Sequence, residues 1–392
     1  MLAERIDHHL RILAEDIGAR PPGSAANLRA TTHVASTLER AGLTVRCDPF
    51  RTRWWEPGPG QLRVDGRDLT VVPNPYSPPC DLRASVVMAA DLPALERLAE
   101  GPAGRLVVLT GALASDPLWP VAFPFLAEPT HRAIAAALLA ARPAAAIAVS
   151  DHWQPIIEDP DLGVPSTTIR TADADGLVTG AEVVLRLGGA VHRGDGVNVA
   201  ARTSDAGPRL VLSAHVDSKV TTPGAFDNAG GVAVLLALAE HGLPAGVPVE
   251  VVAFNGEDHV DACGEVAWLA ATDLTEIAAI VNIDGAGLRG RGSSLALMAC
   301  PPDLHALVAA VIADRPGWAL SEPWYESDHA VLAMRGIPAL AATTAGVHEV
   351  MATIAHTPDD TVEVVDVEVL ADVATTVATL LPVLAGRCLA VG

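Results

Sequence analysis

The sequence predicts an α/β protein with a mixed central sheet, helices on both faces, and a β-rich domain inserted into the main one. After Val197, short apolar runs alternate with helical segments, which is typical of a sheet covered by helices. The N-terminal residues are helical in pattern, and the stretch between these two regions consists mostly of short β-type runs. We therefore expect a discontinuous main domain, 1–50 and 195–392, and an inserted domain, 51–194.

The N-terminal region predicts two helices between Leu2 and Leu43, because apolar residues recur there at helical spacing. The turn Arg20–Ser24 separates them, and Ser24 can cap the second helix. In the insertion, short apolar runs predict strands, Thr130–Ala141 predicts a helix, and Gly188–Gly196 is a glycine-rich exit from the insertion.

The main domain alternates predicted strands and helices. The strands are Leu210–Ala214, Val249–Asn255, Ala279–Ile283, Leu295–Ala299 and Pro338–Thr343, and the helices Gly230–Glu240, Glu265–Ala271, Pro302–Asp314 and Val365–Ala385. Ligands of such sheets bind at the carboxyl ends of the strands, so the residues that follow each strand are the first candidates for a functional site.

The composition limits the partners. The 392 residues include 26 Lys and Arg against 47 Asp and Glu, a net charge of −21, which argues against nucleic acid and anionic membranes. The N-terminus has no signal-peptide pattern and no run reaches the ~18 apolar residues of a membrane span, so we expect a soluble, cytoplasmic protein. The sequence leaves the oligomeric state open. The five cysteines predict neither a disulfide framework nor a cysteine zinc site, since their number is odd and no C-x-x-C pair occurs.

Acidic residues and histidines follow the predicted strands or lie in neighbouring loops. These residues are His215 and Asp217, Asp227, Glu257 and Asp258, Asp284, and His356. Two divalent ions ~3.5–4 Å apart need about five ligands, one of them a shared carboxylate. Imidazoles and carboxylates are suitable zinc ligands. The sequence therefore predicts a centre for two Zn²⁺ ions, with Co²⁺ or Mn²⁺ as alternatives. The predicted ligands are His215, Asp227, Asp258, Asp284 and His356.

Two further residues have predicted roles in this centre. Such a centre needs one further carboxylate as a general base, and Glu257 fits this role. Asp217 lies two residues beyond His215, where we expect it to orient the imidazole.

These motifs resemble the dizinc exopeptidase family, which includes bacterial leucyl aminopeptidases, aminopeptidase Y, glutamate carboxypeptidase and glutaminyl cyclase. Its pattern is His-x-Asp, Asp-Asn-Ala-x-Gly, paired acids, Asn-x-Asp and His-Thr-x-x-Asp-Thr, and the chain has all five in this order. Ser327–His329 and Gly18–Ser24 match further family features. The insertion resembles a protease-associated domain, so 1–50 and 195–392 would form the catalytic zinc-peptidase domain.

The resemblance implies a role for each residue. Asp227 would bridge the metals, His215 and Asp284 would hold one zinc, and Asp258 and His356 the other. Glu257 would accept a proton from the metal-activated water and pass it to the leaving amine. The peptide bond after the bridging aspartate is often cis in this family, which predicts a cis bond between Asp227 and Asn228.

The chain departs from the family at one ligand. The second acid of the pair is usually Glu, and here it is Asp258. Because aspartate is one methylene shorter, this difference puts the metal affinity and the metal preference in question.

The resemblance implies a zinc-dependent metallopeptidase, and we expect an aminopeptidase that acts on peptides or small amides. Trp324, Tyr325 and Glu326 precede the Ser-Asp-His motif and are expected to line the substrate pocket. The alternatives are a carboxypeptidase, a small-peptide or amide hydrolase, a cyclase acting on N-terminal glutamine, and a catalytically inactive binding protein.

Two other activities are disfavoured by their motifs. Gly285–Gly290 matches the dinucleotide fingerprint G-x-G-x-x-G, but a glycine-led strand follows where that fingerprint requires a helix. No G-x-S-x-G occurs in the sequence, so a serine hydrolase of the α/β class would lack its nucleophile elbow.

Overall fold

The structure is a computed structural model that describes residues 1–125, 128–152, 154–204, 207–351 and 353–389. The chain divides into two compact units, one formed by 1–52 with 194–392 and the other by 53–193. The first, called the main unit below, contains a large mixed sheet with helices, so the predicted fold class is confirmed.

The strands are β1 (Thr44–Val64), β2 (Arg67–Thr70), β3 (Cys80–Ala89), β4 (Leu106–Leu109), β5 (Ala145–Val149), β6 (Ser166–Ile169), β7 (Glu182–Arg202), β8 (Arg209–His215), β9 (Val249–Phe254), β10 (Ile277–Ile283), β11 (Ser293–Met298), β12 (Trp318–Ser321) and β13 (Ala339–Thr344). The α-helices are α1 (Leu2–Arg11), α2 (Ala25–Arg40), α3 (Leu92–Arg97), α4 (Pro129–Ala140), α5 (Gly230–His241), α6 (Cys263–Ala271), α7 (Pro302–Ala313), α8 (Ala330–Ala333), α9 (Val347–Met351) and α10 (Val367–Leu384).

The sheet of the main unit has the strand order β12-β11-β13-β10-β8-β9-β7. Its four inner strands β13, β10, β8 and β9 are parallel to one another. The β11–β13 and β7–β9 pairs are antiparallel, which makes the sheet mixed. Strands β8, β9 and β13 are buried along their whole length, as expected for parallel strands covered on both faces. The edge strand β12 is largely exposed and was not predicted from the sequence.

Helix α5 lies directly behind the functional region. Every residue from Gly230 to Ala239 is buried, because the helix is apolar on all sides and is enclosed by the sheet, α1 and α10. The segment Val367–Leu389 is apolar and long enough to cross a membrane by length and composition. Within the main unit α10 packs against α1, α5 and α7. Core helices can have the same length and apolar composition as membrane-spanning helices.

The inserted unit has its own core. Strands β3, β4, β5 and β6 are parallel, and the first part of β7 pairs antiparallel with β3. The predicted glycine-rich exit, Gly188–Gly196, is extended, since β7 continues through it to Arg202. A Cβ on Gly189 would lie 2.7 Å from Nε1 of Trp55, and one on Gly58 would lie 2.2 Å from the Gly189 nitrogen. Glycine is therefore required here for close approach of β1 and β7.

Candidate metal centre

The parallel order of the inner strands brings the predicted site residues to one edge of the sheet. Strand β8 ends at His215, β10 is followed at once by Asp284, and β9 leads through two residues to Glu257. Because carboxyl ends of parallel strands meet at the same edge, residues distant in sequence converge there.

Asp227 reaches this edge by a different route, in the irregular segment Ala225–Ala229 that precedes α5. Its backbone is non-helical, with φ −124° and ψ 89°, and its peptide bond to Asn228 is cis, as predicted. The Asn228 amide donates to the carbonyl of Ile283 over 2.8 Å and accepts a bond from the Gly231 nitrogen at 3.1 Å. The first bond attaches the segment to the end of β10, and the second attaches it to the start of α5.

The two carboxylate oxygens of Asp227 contact different histidines. Oδ1 lies 3.0 Å from Nε2 of His215, and Oδ2 lies 3.0 Å from Nε2 of His356. Asp227 is nearly completely buried. One carboxylate thus stands between two imidazoles, which is the arrangement of a bridging ligand.

The remaining two predicted ligands each join one histidine. Oδ1 of Asp284 lies 3.4 Å from Nε2 of His215, and Oδ1 of Asp258 lies 2.8 Å from Nε2 of His356. The structure therefore brings all five predicted ligands together, as two groups that share Asp227. The shorter Asp258 still reaches the centre.

The donor atoms fit divalent metal ions. Ligand atoms bound to one zinc at about 2.1 Å in a tetrahedron are about 3.4 Å apart, close to the separations within each group. His215, Asp227 and Asp258 offer ligand atoms that all lie within 4.8 Å of one another. Oδ2 of Asp258 is buried and accepts no hydrogen bond from the described residues. Neutral imidazoles and carboxylates are the donor types that zinc binds.

The charges around the two histidines shift their pKa values in the metal-free protein. Burial alone would lower the pKa of His356, but the charge of Asp258, together with Asp227, outweighs it and raises that pKa to about 10. Burial would also lower the pKa of His215, but the charges of Asp284 and Glu257 outweigh it and raise that pKa well above its usual value. Each imidazole therefore holds a proton where a metal would bind.

Glu257 lies beside the ligands without joining either group. Its Oε2 is 3.8 Å from Nε2 of His215. Burial, reinforced by the charges of Asp284 and Asp258 and opposed by His215, raises the pKa of the Glu257 carboxyl well above its usual value. A carboxylate with a raised pKa beside a metal centre is suited to exchange protons with a bound water.

Asp217 is buried and makes contacts that differ from the predicted one. Its Oδ1 accepts a hydrogen bond from the Gly256 nitrogen at 2.7 Å, and its Oδ2 accepts one from the Asp258 nitrogen at 3.2 Å. The distance from Oδ1 to Nδ1 of His215 is 3.7 Å, longer than a hydrogen bond. Asp217 therefore holds the backbone of the paired acids while it faces His215.

Arg20 holds backbone near the centre in place, a role that the sequence did not reveal. It is fully buried, and its guanidinium donates to the carbonyls of Val216 at 2.7 Å, Pro223 at 2.5 Å and Gly224 at 2.9 Å. It thus joins the exit of β8 to the residues before Asp227. The motif Gly18–Ser24 marked this region, but the contacts depend on tertiary structure.

Two further buried carboxyls lie near the centre. Both oxygens of Asp328 lack a hydrogen-bond partner among the described residues, and burial and then the charge of Glu265 raise its pKa well above the usual value. Burial is also the main cause that raises the pKa of Glu265 to about 7. The Ser-Asp-His motif had marked Asp328 only as a family feature, and nothing in the sequence had marked Glu265.

Two of the three predicted substrate residues line a cavity beside the centre. Trp324 and Glu326 line a small cavity beside the centre, together with Asp284, Gly285, Val347, His348 and Met351. The indole of Trp324 packs edge-to-face on His329, whose Nε2 donates to the Trp324 carbonyl at 2.8 Å. Tyr325 is 52% exposed and is not among the described residues that line the cavity.

Comparisons with known proteins agree with these motifs. Residues 198–381 match the family model described as Peptidase family M28. A curated relative, the vacuolar membrane protease of Clavispora lusitaniae, is 35% identical over 86 residues. That match covers 21% of this chain and 8% of the relative, so the chain spans a small part of its length.

Solved structures share the fold over nearly the whole chain. The aminopeptidase from Aneurinibacillus sp. strain AM-1 is similar with a TM-score of 0.75 and 20% identity, covering 96% of this chain and 92% of that one. A zinc aminopeptidase from Bacillus subtilis gives a TM-score of 0.73 at 20% identity, covering 96% and 94%. Residues 198–381 therefore match peptidase family M28 in sequence, and the chain shares its fold with aminopeptidases of known structure.

Proposed function

We propose that this protein is an aminopeptidase that uses two zinc ions to hydrolyse the first peptide bond of its substrates. The observation that supports it most is the position of Asp227 between His215 and His356, with one further carboxylate beside each imidazole. This arrangement suits two cations that share one ligand. Zinc in the neighbour from Bacillus subtilis favours this metal over cobalt or manganese.

The residues of the chain have separate tasks in this proposal. His215 and Asp284 would hold one metal, His356 and Asp258 the other, and Asp227 both. When bound, the metals lower the pKa of a water and stabilise negative charge on the scissile carbonyl. Glu257 accepts the proton of the attacking water at its carboxylate and returns it to the leaving amine.

The acidic cavity favours a free N-terminus over a free C-terminus. Besides the candidate ligand Asp284, Glu326 lines it, and the described lining residues include no Lys or Arg. An α-ammonium group is attracted to carboxylates, whereas a terminal carboxylate requires a cationic partner. The surroundings of the centre therefore match the charge of a peptide's amino end.

Mass spectrometry of a mixture of defined peptides, incubated with the zinc-loaded protein, tests from which end the protein shortens its substrates. We expect products shortened from the N-terminus, and we expect a chelator to abolish them. Peptides with an acetylated N-terminus are the matched control and should remain intact. Products shortened from the C-terminus would contradict the proposal, and so would cleavage that persists in the chelator.

Replacing Glu257 by Gln should lower kcat by at least 10²-fold, because the amide cannot accept the proton of the attacking water. Zinc content, measured by elemental analysis, should stay at the wild-type value, since Glu257 is not one of the five ligands. Glu363→Gln, at an exposed position, is the control and should keep full activity. Wild-type turnover by Glu257→Gln would remove Glu257 from the mechanism.

Zinc binding should release protons and should strengthen as the pH rises. The pKa of His356 is raised to about 10 and that of His215 lies well above its usual value, so both imidazoles are protonated near pH 7. A metal binds only the neutral ring, and the protons must therefore leave. Calorimetric titration with zinc in two buffers of different ionisation enthalpy should give different heats. Equal heats would show that the histidines are already neutral.

A further inference from the structure

We propose that Asp360 is a positioning residue that fixes Asp227 against His356 and thereby sets the metal affinity of the centre. From the sequence, Asp360 is only the aspartate of the His-Thr-x-x-Asp-Thr motif, with the pattern of a turn or cap residue. The structure shows it fully buried beside the bridging ligand. The inference rests on the proposed function only in assuming that metal binds at this centre.

The first part of the argument is the set of bonds that Asp360 makes to the segment carrying Asp227. Its Oδ1 accepts a hydrogen bond from the Phe226 nitrogen at 2.6 Å, and its Oδ2 accepts one from the Asp227 nitrogen at 3.1 Å. Its main-chain carbonyl accepts a third from the Ala225 nitrogen at 3.3 Å. Three consecutive N–H groups thus point at one residue, two of them at its side-chain oxygens and one at its main-chain carbonyl.

The second part is the connection to His356, which lies four residues earlier in the same loop. The loop is closed by the bond from the Asp360 nitrogen to the Thr357 carbonyl, at 3.2 Å, and by one from the Thr357 nitrogen to the Ile354 carbonyl, at 3.2 Å. His356 has a φ of 60°, a left-handed conformation that is uncommon for a residue other than glycine. Such a conformation persists where the surrounding structure holds it; here the Thr357–Ile354 bond spans His356, and Asp360 in turn holds Thr357.

The third part is that Arg20 holds the residues just before the segment that carries Asp227. Arg20 donates to the carbonyls of Pro223 and Gly224, directly before Ala225. The carbonyls just before the segment therefore face a guanidinium, while the first nitrogens of the segment face Asp360. With the backbone fixed in this way, the side chain of Asp227 is directed at both histidines before any metal arrives, and less ordering remains to be done on binding.

An amide cannot replace the Asp360 carboxylate in this position. Asparagine has one acceptor oxygen and one NH₂ group, so it would satisfy one of the two N–H groups and present a donor to the other. The Asp227 segment would then shift relative to His356. Loss of partners that orient metal ligands typically weakens metal affinity by about 10–100-fold.

The test is the zinc affinity of Asp360→Asn in the full chain, measured by competition with a chromophoric chelator. We expect affinity about 10–100-fold weaker than wild type, with the far-ultraviolet circular dichroism of the metal-free protein unchanged. Asp359→Asn is the matched control, because Asp359 is its exposed neighbour, and it should bind zinc like the wild type. Equal affinity of the two variants would overturn the proposal.

Two further measurements keep the test decisive. If Asp360→Asn fails to fold, Asp360→Glu keeps the charge and both oxygens but displaces them by one methylene, and it should also weaken zinc binding; wild-type affinity in that variant would overturn the proposal. Excess zinc should restore most of the kcat of a folded Asp360 variant, as a positioning role requires. A wild-type chain that binds zinc but cleaves no peptide would refute the proposed function and leave the role of Asp360 intact.

Discussion

The mutual repulsion of buried carboxylates at one edge of the sheet is the constraint on which the rest of the structure depends. Asp217, Asp227, Asp258 and Asp284 are all buried there, and Glu257 lies among them. Burying several like charges together is costly unless cations offset them. In the metal-free protein protonated histidines and the buried guanidinium of Arg20 provide part of this compensation, and two divalent ions would provide the rest.

The fold meets this constraint with two different kinds of element. The parallel strands β8, β9 and β10 place His215, the paired acids and Asp284 at the edge, and these strands are almost completely buried. Asp227 and His356 lie instead on irregular backbone. There, hydrogen bonds of the Asn228 and Asp360 side chains fix the segment that carries Asp227, in place of the main-chain bonds between strands. The centre thus combines ligands fixed by the sheet with ligands fixed by side chains.

The sequence predicted the fold class and the residues that gather at the centre, because apolar strands followed by polar residues are local patterns, and because Asp227 and His356 lie in short motifs that resemble those of a known family. It could not predict the bonds of Arg20, which join residues about 200 positions apart, or the burial of Asp328. The stretch Gly188–Gly196 indicated an exit from the insertion, but its sequence did not show that Gly189 allows the close approach of two strands. Strand β12 was missed because it is only four residues long and largely exposed.

The central claim is that Asp227 bridges two metal ions, and anomalous X-ray diffraction from crystals grown with zinc tests it most directly. The account predicts two separate zinc peaks, one beside His215 and Asp284 and the other beside His356 and Asp258, with Asp227 in contact with both. A single peak at saturating zinc, or two peaks of which one lies away from Asp227, would contradict it.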